Sequence, residues 1–347
     1  MSEFTTDFDT PSFAVISGEQ VQQALTGRES EIGELVEATY RLHGAGESVN
    51  PPSFFLRFAD RPSSRIIGLP ASLGGTQRVD GLKWISSFPG NTGSGLPRAS
   101  AVLILNDPDT GYPYACLESS VISATRTASS AALAAEKLSQ GRTRPLRVGF
   151  VGTGLIARYI HTHLRATGWE FEETGVYDLS ADSAEGFRGY LERSGAQGRI
   201  TVHDKAEGLV RASDLLVFAT VAGAPHIHDP AWFDHHPLVL HVSLRDLDPA
   251  ILLASANFVD DVEHCLKADT SPHLAEQATG GREFIDGTLD DVLTGRVGVP
   301  ADRTVVFSPF GLGVLDLAVG RFVHDEVARR GELRVVDGFF HELRRYG

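Results

Sequence analysis

Two glycines and two carboxylates carry the first chemistry that can be read from this chain. The short apolar run Val148 to Val151 breaks at Gly152-Thr153-Gly154, after which Ile156, Ile160 and Leu164 recur every fourth residue up to Gly168. Strand, glycine turn and helix in that order open a dinucleotide-binding βαβ unit. Gly152 permits the turn, Gly154 lets a pyrophosphate approach the backbone, and the small Ala157 lets helix meet strand. Leu155 and Ile156, first in the helix, would turn unpaired N–H groups and the positive end of its dipole toward phosphate. The next strand-like run, Thr174-Gly-Val-Tyr-Asp178, ends in an acid 24 residues beyond Gly154, where a ribose-binding carboxylate is expected. Leu179 and Ser180 follow it with no adjacent Arg or Lys for a 2′-phosphate, so the expected cofactor is NAD rather than NADP.

The second carboxylate, Asp246, stands just past the strand-like Leu238 to Leu244, where open parallel sheets present reactive groups. Its residue type and place suit a general base or the N-cap of a helix starting near Asp248-Pro249. His226, His228, His235, His236 and His241 lie nearby and invite a metal, yet show neither a Cys partner nor a second-shell pattern. We read them as loop and core histidines and expect no metal. Cys116 and Cys265 fall in apolar surroundings and are too few for a disulfide framework, which suits buried thiols in a cytoplasmic protein.

These groups need two kinds of scaffold. From Val148 onward strands and helices alternate, and Ile200–His203, Asp214–Thr220, Leu238–Leu244 and Asn257–Asp261 are further strands. Continuous apolar runs of this kind suit a parallel sheet buried on both faces. Before Pro145 the pattern differs. Residues 1 to about 14 form a loose tail, Ser17 with Gln20 makes a capping box, and a helix runs from Glu29 toward Gly44. Alternating runs follow at Phe54–Phe58, Arg65–Leu69, Gly81–Phe88, Ala101–Leu105 and Tyr114–Leu117, with Lys83, Ile85 and Ser87 on one face. Ser119 to Leu138 is a helix carrying Arg126 and Thr127, and Leu315 to Ala328 is an amphipathic helix returning to the first domain. The expected fold is α/β: an N-terminal α+β substrate-binding and dimerisation domain (1–140), a Rossmann NAD-binding domain (141–313) and a C-terminal helical segment (314–347) that completes the first.

A formal net charge of −14 over 347 residues argues against nucleic acid and anionic membranes, which need a basic face. No apolar run approaches the roughly 18 residues needed to span a bilayer, and the polar start Met1-Ser-Glu-Phe is no secretory signal.

Taken together, Gly81-Leu-Lys83-Trp-Ile-Ser-Ser-Phe-Pro-Gly-Asn91, Ser123-Ala-Thr-Arg126-Thr127-Ala, the glycine turn and Leu244-Arg-Asp246 resemble the ornithine cyclodeaminase/μ-crystallin family over roughly residues 15 to 340. Val242-Ser-Leu-Arg-Asp-Leu-Asp, Asp260-Asp-Val-Glu-His-Cys and Thr270-Ser-Pro-His-Leu-Ala-Glu276 look most like its diaminopropionate-forming branch in siderophore and antibiotic pathways. That resemblance implies NAD-dependent oxidation of N-(2-amino-2-carboxyethyl)-L-glutamate, with hydrolysis of the imine to L-2,3-diaminopropionate and 2-oxoglutarate. It also implies a homodimer through the N-terminal sheets, with Trp84 or the Phe54–Phe58 strand contributing. Asp246 matches the family's catalytic aspartate, Lys83 and Arg126 match groups on a substrate carboxylate, and Thr127 matches a phosphate contact. A substrate with three carboxylates needs local cations, and Arg57 and Arg98 are further candidates. Thr220 and the Gly311-Leu-Gly313 turn would line the nicotinamide side, with Asp246 on one wall of the cleft and Lys83 and Arg126 on the other. Ser53 stands where many members have a carboxylate-binding arginine after the prolines, leaving that role to Arg57 or to a different substrate placement. Ornithine cyclodeamination, imine reduction or amino-acid dehydrogenation, and non-catalytic nucleotide binding are the alternatives.

Overall fold

A computed structural model describes residues 11–341, so the first ten residues of the expected tail lie outside the described residues. Among the described residues the chain forms two compact units: 11–26, 46–123 and 316–341 make the first, and Gly27–Ala45 with Ala124–Leu315 make the second. The units are therefore discontinuous in sequence. The helix Glu29–Gly44 and most of the helix Ser120–Leu138, expected in the first domain, group with the second because their partners lie there. Tyr40 bonds Ser130 (3.1 Å), and Arg41 reaches the Leu293 carbonyl (3.0 Å).

The first unit is a sheet built from β1 (Ala14–Ile16), β2 (Ser48–Val49), β3 (Phe54–Arg57), β4 (Arg65–Leu73), β5 (Val79–Ser87), β6 (Ala99–Asn106) and β7 (Pro113–Glu118), with Arg334–Val335 on the free edge of β1. Pairing is antiparallel except between β1 and β7. The capping box forms as expected, Ser17 accepting from the Gln20 N–H. Along β5 the side chains alternate: Val79, Lys83 and Ser87 are buried, while Trp84 is exposed. Against the inner face lies the helix Gly313–Arg329, whose Gly320 meets Leu103 while Leu317 meets Gly81; a Cβ on either glycine would clash. On the outer face the register aligns Phe54, Gly68, Trp84 and Val102 in one row, with Phe54 67% exposed and Trp84 41%.

The second unit holds an eight-stranded parallel sheet: β8 (Arg147–Val151), β9 (Glu173–Tyr177), β10 (Arg199–Val202), β11 (Leu215–Phe218), β12 (Leu238–His241), β13 (Ala256–Val259), β14 (Ile285–Thr288) and β15 (Val305–Ser308). Their spatial order is β10-β9-β8-β11-β12-β15-β13-β14. The order reverses between β8 and β11, the switch point at which such sheets bind ligands beyond their carboxyl ends. Val148, Phe150, Phe218, Val239, Val306 and Phe307 are fully buried, which explains why these strands read as unbroken apolar runs. The sequence pattern marks neither β14 nor β15 as a strand, yet β15 sits inside the sheet.

Candidate active site

The glycine turn leaves β8 at the switch point. Gly152 adopts φ +87°, and a Cβ there would lie 2.7 Å from the Ala219 carbonyl oxygen and 2.9 Å from the Thr220 nitrogen. Only glycine allows the turn to pass this close to the end of β11. Gly154 has open space where a Cβ would project. It is also the N-cap of the helix Leu155–Ala166 and gives that helix no side-chain cap, so the N–H groups of the first turn remain for an anion. Asp178 follows β9, and its Oδ2 accepts from the Thr153 N–H (3.0 Å) and hydroxyl (2.8 Å) while Oδ1 accepts from the Ser180 N–H (2.9 Å). The carboxylate thus braces the turn from beside it. An uncapped helix start, a glycine with room in front of it and a flanking acid fit the pyrophosphate and ribose of NAD, which Gly152, Gly154, Leu155, Ile156 and Asp178 would hold.

Thr220 joins this turn to Asp246. Its hydroxyl donates to Asp246 Oδ1, which also meets His226 Nε2 at 3.0 Å. The Ser243 hydroxyl donates to Oδ2, and His241 Nε2 lies 3.3 Å from the same oxygen. Helix capping falls instead to Asp248, whose side chain accepts from the Ala250 N–H. Asp246 is completely buried. Burial by itself raises its pKa, but the hydrogen bonds from His226 and the Ser243 hydroxyl, with the His241 imidazole alongside, outweigh it and hold the carboxyl well below the usual range. Oδ1 is engaged by Thr220 and His226 and Oδ2 by Ser243, and the carboxylate has no solvent exposure. Of the groups around it, the His226 side chain is 38% exposed. Asp246, expected to serve as base or cap, thus lies buried against the more exposed His226. His241, with Nδ1 3.2 Å from Ser308 Oγ and Nε2 accepting the Asp246 N–H at 3.1 Å, pins the turn from within the core.

The other expected residues divide between the units. Arg126 groups with Asp246 in the second unit and Lys83 with the first. Its guanidinium packs on Gly311 (φ +97°), where a Cβ would lie 2.6 Å from Nη1. Gly311 in turn donates to the buried Asp260 at 2.6 Å, and Gly313 starts the next helix two residues on. Thr127 is partly buried beside Arg126 on the same helix. In the first unit Lys83 is 2% exposed, with Nζ 2.6 Å from the fully buried Asp316 and 3.3 Å from Ser123 Oγ. Arg98 donates to Ser87 Oγ (2.7 Å), and Arg57 is exposed at the end of β3.

An acid beside an open glycine turn, with an Asp–His pair just past the neighbouring strands, is the equipment of a Rossmann-type NAD-dependent oxidoreductase, and that is the class of this protein. More narrowly, the chain belongs to the ornithine cyclodeaminase/mu-crystallin family, whose family model matches residues 14–331. It is 31% identical to the nodulation efficiency protein NfeD of Rhizobium meliloti, covering 86% of this chain and 90% of that protein. It is 26% identical to N-((2S)-2-amino-2-carboxyethyl)-L-glutamate dehydrogenase of Staphylococcus aureus, covering 77% and 80% respectively. Among solved structures, CmnK superposes with a TM-score of 0.86 at 31% identity over 96% of this chain and all of that one. An archaeal alanine dehydrogenase dimer with bound NAD superposes at 0.83 and 27% identity, over 94% and all of that chain.

Proposed function

We propose that this protein oxidises N-(2-amino-2-carboxyethyl)-L-glutamate to L-2,3-diaminopropionate and 2-oxoglutarate, supplying a siderophore or antibiotic precursor. NAD, when bound, takes up the hydride that leaves the glutamate α-carbon. The amine loses its proton as the C–N bond becomes an imine, and water then adds at the imine carbon. The Asp246–His226 pair carries this reading. Asp246 accepts from the His226 Nε2–H, which leaves the Nδ1 lone pair to take a proton from the attacking water and pass it to the departing amine. Lys83, Arg126, Arg57 and Arg98 are assigned to the substrate carboxylates, Thr127, Thr220 and Gly313 to the cofactor. The polycarboxylate substrate is supported by the branch-like segments and by the S. aureus relative.

The test is direct: purified protein with NAD and this substrate generates NADH together with 2-oxoglutarate. NADH from L-alanine instead would favour simple amino-acid dehydrogenation, a reading the archaeal structure supports. Conversion of ornithine to proline without NADH accumulation would favour the cyclodeaminase.

We further infer a homodimer through the outer sheet face, where Phe54, Trp84 and Val102 form an exposed apolar row. Trp84→Arg should then halve the mass measured by sedimentation. Two free cysteines support a cytoplasmic setting, and among the described residues no helix is long and apolar enough to cross a membrane.

A further inference from the structure

On the inner face of the first unit's sheet, two arginines share a register row with a serine that a third arginine contacts. Arg57 of β3 lies directly opposite Arg65 of β4, and Arg65 lies directly opposite Ser87 of β5. Ser87 is buried and accepts from Arg98 Nη1 at 2.7 Å, Arg98 being the residue before β6. Strand alternation places Arg57, Arg65 and Ser87 on the same face as Lys83. Among the described residues, no ion pair joins Arg57, Arg65 or Arg98 to a carboxylate.

That is unusual for this chain, in which 45 acidic residues face 31 basic ones. Other arginines of the same unit do find acids: Arg61 pairs with Asp60 at 3.2 Å and Arg78 with Asp109 at 2.7 Å. Lys83 on the same face is held by Asp316. Like charges directly opposite one another destabilise a sheet, and partly burying an unpaired cation adds to that cost. Arg65 and Arg98 feel both effects. Burial first and then the neighbouring arginine, Arg57 for Arg65 and Arg65 for Arg98, push their pKa values down. Among the described residues, three neighbouring cations are left without a carboxylate partner.

We propose that Arg57, Arg65 and Arg98, with the Ser87 hydroxyl, form a binding site for a dicarboxylate. Planar guanidinium forks bind carboxylates bidentately, and three of them exceed what one carboxylate can satisfy. The proposal rests on the polycarboxylate reading of the function and adds to it that these three residues select the substrate. Alanine and ornithine carry one carboxylate each and would leave the row unneutralised.

The experiment uses full-length protein without NAD and titrates glutarate, with butyrate as the single-carboxylate control, by calorimetry. Glutarate should bind and butyrate should not, and Arg65→Met should weaken glutarate at least tenfold. Because Arg65→Met removes repulsion and no native ion pair, its unliganded thermal midpoint should equal or exceed that of the parent. With N-(2-amino-2-carboxyethyl)-L-glutamate and NAD, the variant should raise KM at least tenfold with little change in kcat. Unchanged glutarate affinity and KM, or a lowered midpoint in the unliganded variant, would overturn the site while leaving the proposed reaction standing. Glutarate binding that depends on Arg65, in a protein that turns over only a monocarboxylate amino acid, would keep the site and remove the proposed reaction.

Discussion

Replacing Asp246 by Asn separates the Asp–His pair from every other explanation of this residue. The native carboxylate only accepts, and it faces two hydroxyls and two imidazoles. An Asn amide keeps one accepting oxygen and turns an NH2 toward the other two partners. Thr220 and Ser243 can rotate to accept from it, but a His226 Nε2–H cannot. With one or two donors left unmatched in the interior, at about 1–3 kcal/mol each, stability should fall by roughly 2–4 kcal/mol in urea denaturation. Losing the fixed imidazole should lower kcat by about 10²- to 10⁴-fold, the usual worth of positioned acid–base catalysis. NAD affinity should stay within about threefold, because the glycine turn and Asp178 are untouched; fluorescence titration checks this. The sharper test is the double variant with His226→Gln. Residues that act as one unit lose their effect once, so the pair of substitutions should cost no more than the worse single one. If the two losses multiply, or if Asp246→Asn keeps near-full turnover, the pair does not exist as a catalytic unit.

Lys83→Met should cost roughly 3–5 kcal/mol, because it strands the fully buried Asp316, and adding Asp316→Leu should recover most of that in urea melts; an unaltered midpoint in the single variant would mean the pair is not buried as seen. His161 and His163 are buried with pKa values pushed down to about 4 by burial, so the unfolded chain binds more protons below the ordinary value of 6.5. Their contribution is complete above pH 6.5 and is lost as pH falls toward about 4, at most roughly 3 kcal/mol each; denaturation midpoints that do not move between those limits would contradict it. Asp178→Ala should weaken NAD about tenfold, through a lost ribose contact and a loosened Thr153, with an unchanged circular dichroism spectrum. Unaltered NAD affinity would remove Asp178 from the site.

What the residue pattern made legible was local. The glycine turn, the acid ending β9 and Asp246 each sit in a signature contained within one βα step, and each lies where its signature points. What stayed hidden depends on which parallel strands are neighbours. His226 follows β11 and His241 ends β12, and only the pairing of those strands brings both onto one carboxylate. Read singly, each was an ordinary loop or core histidine. The interior place of β15 was hidden for the same reason, since its short run Val305-Val-Phe carries no mark of which strands flank it. Arg65 escaped notice because strand pattern assigns faces by apolar residues, and its register against Arg57 and Ser87 comes from a hairpin and a nine-residue ladder. Lys83 was recognised as special, but its partner Asp316 is 233 residues away, beyond any local pattern.

The route of the chain through the first unit has a consequence for synthesis. The sheet is laid down early, yet Asp316, Leu317, Gly320 and the strand Arg334–Val335 leave the ribosome only after the whole parallel sheet. During translation Lys83 waits on the inner face without its counter-ion, and β1 waits with one edge open, while the parallel sheet between them in sequence is already complete. A nascent chain therefore carries a finished nucleotide shell and an unfinished partner until the helix Gly313–Arg329 and the strand Arg334–Val335 arrive. Chains cut short before residue 316 should be the ones that proteases and chaperones recognise, whatever the state of the glycine turn.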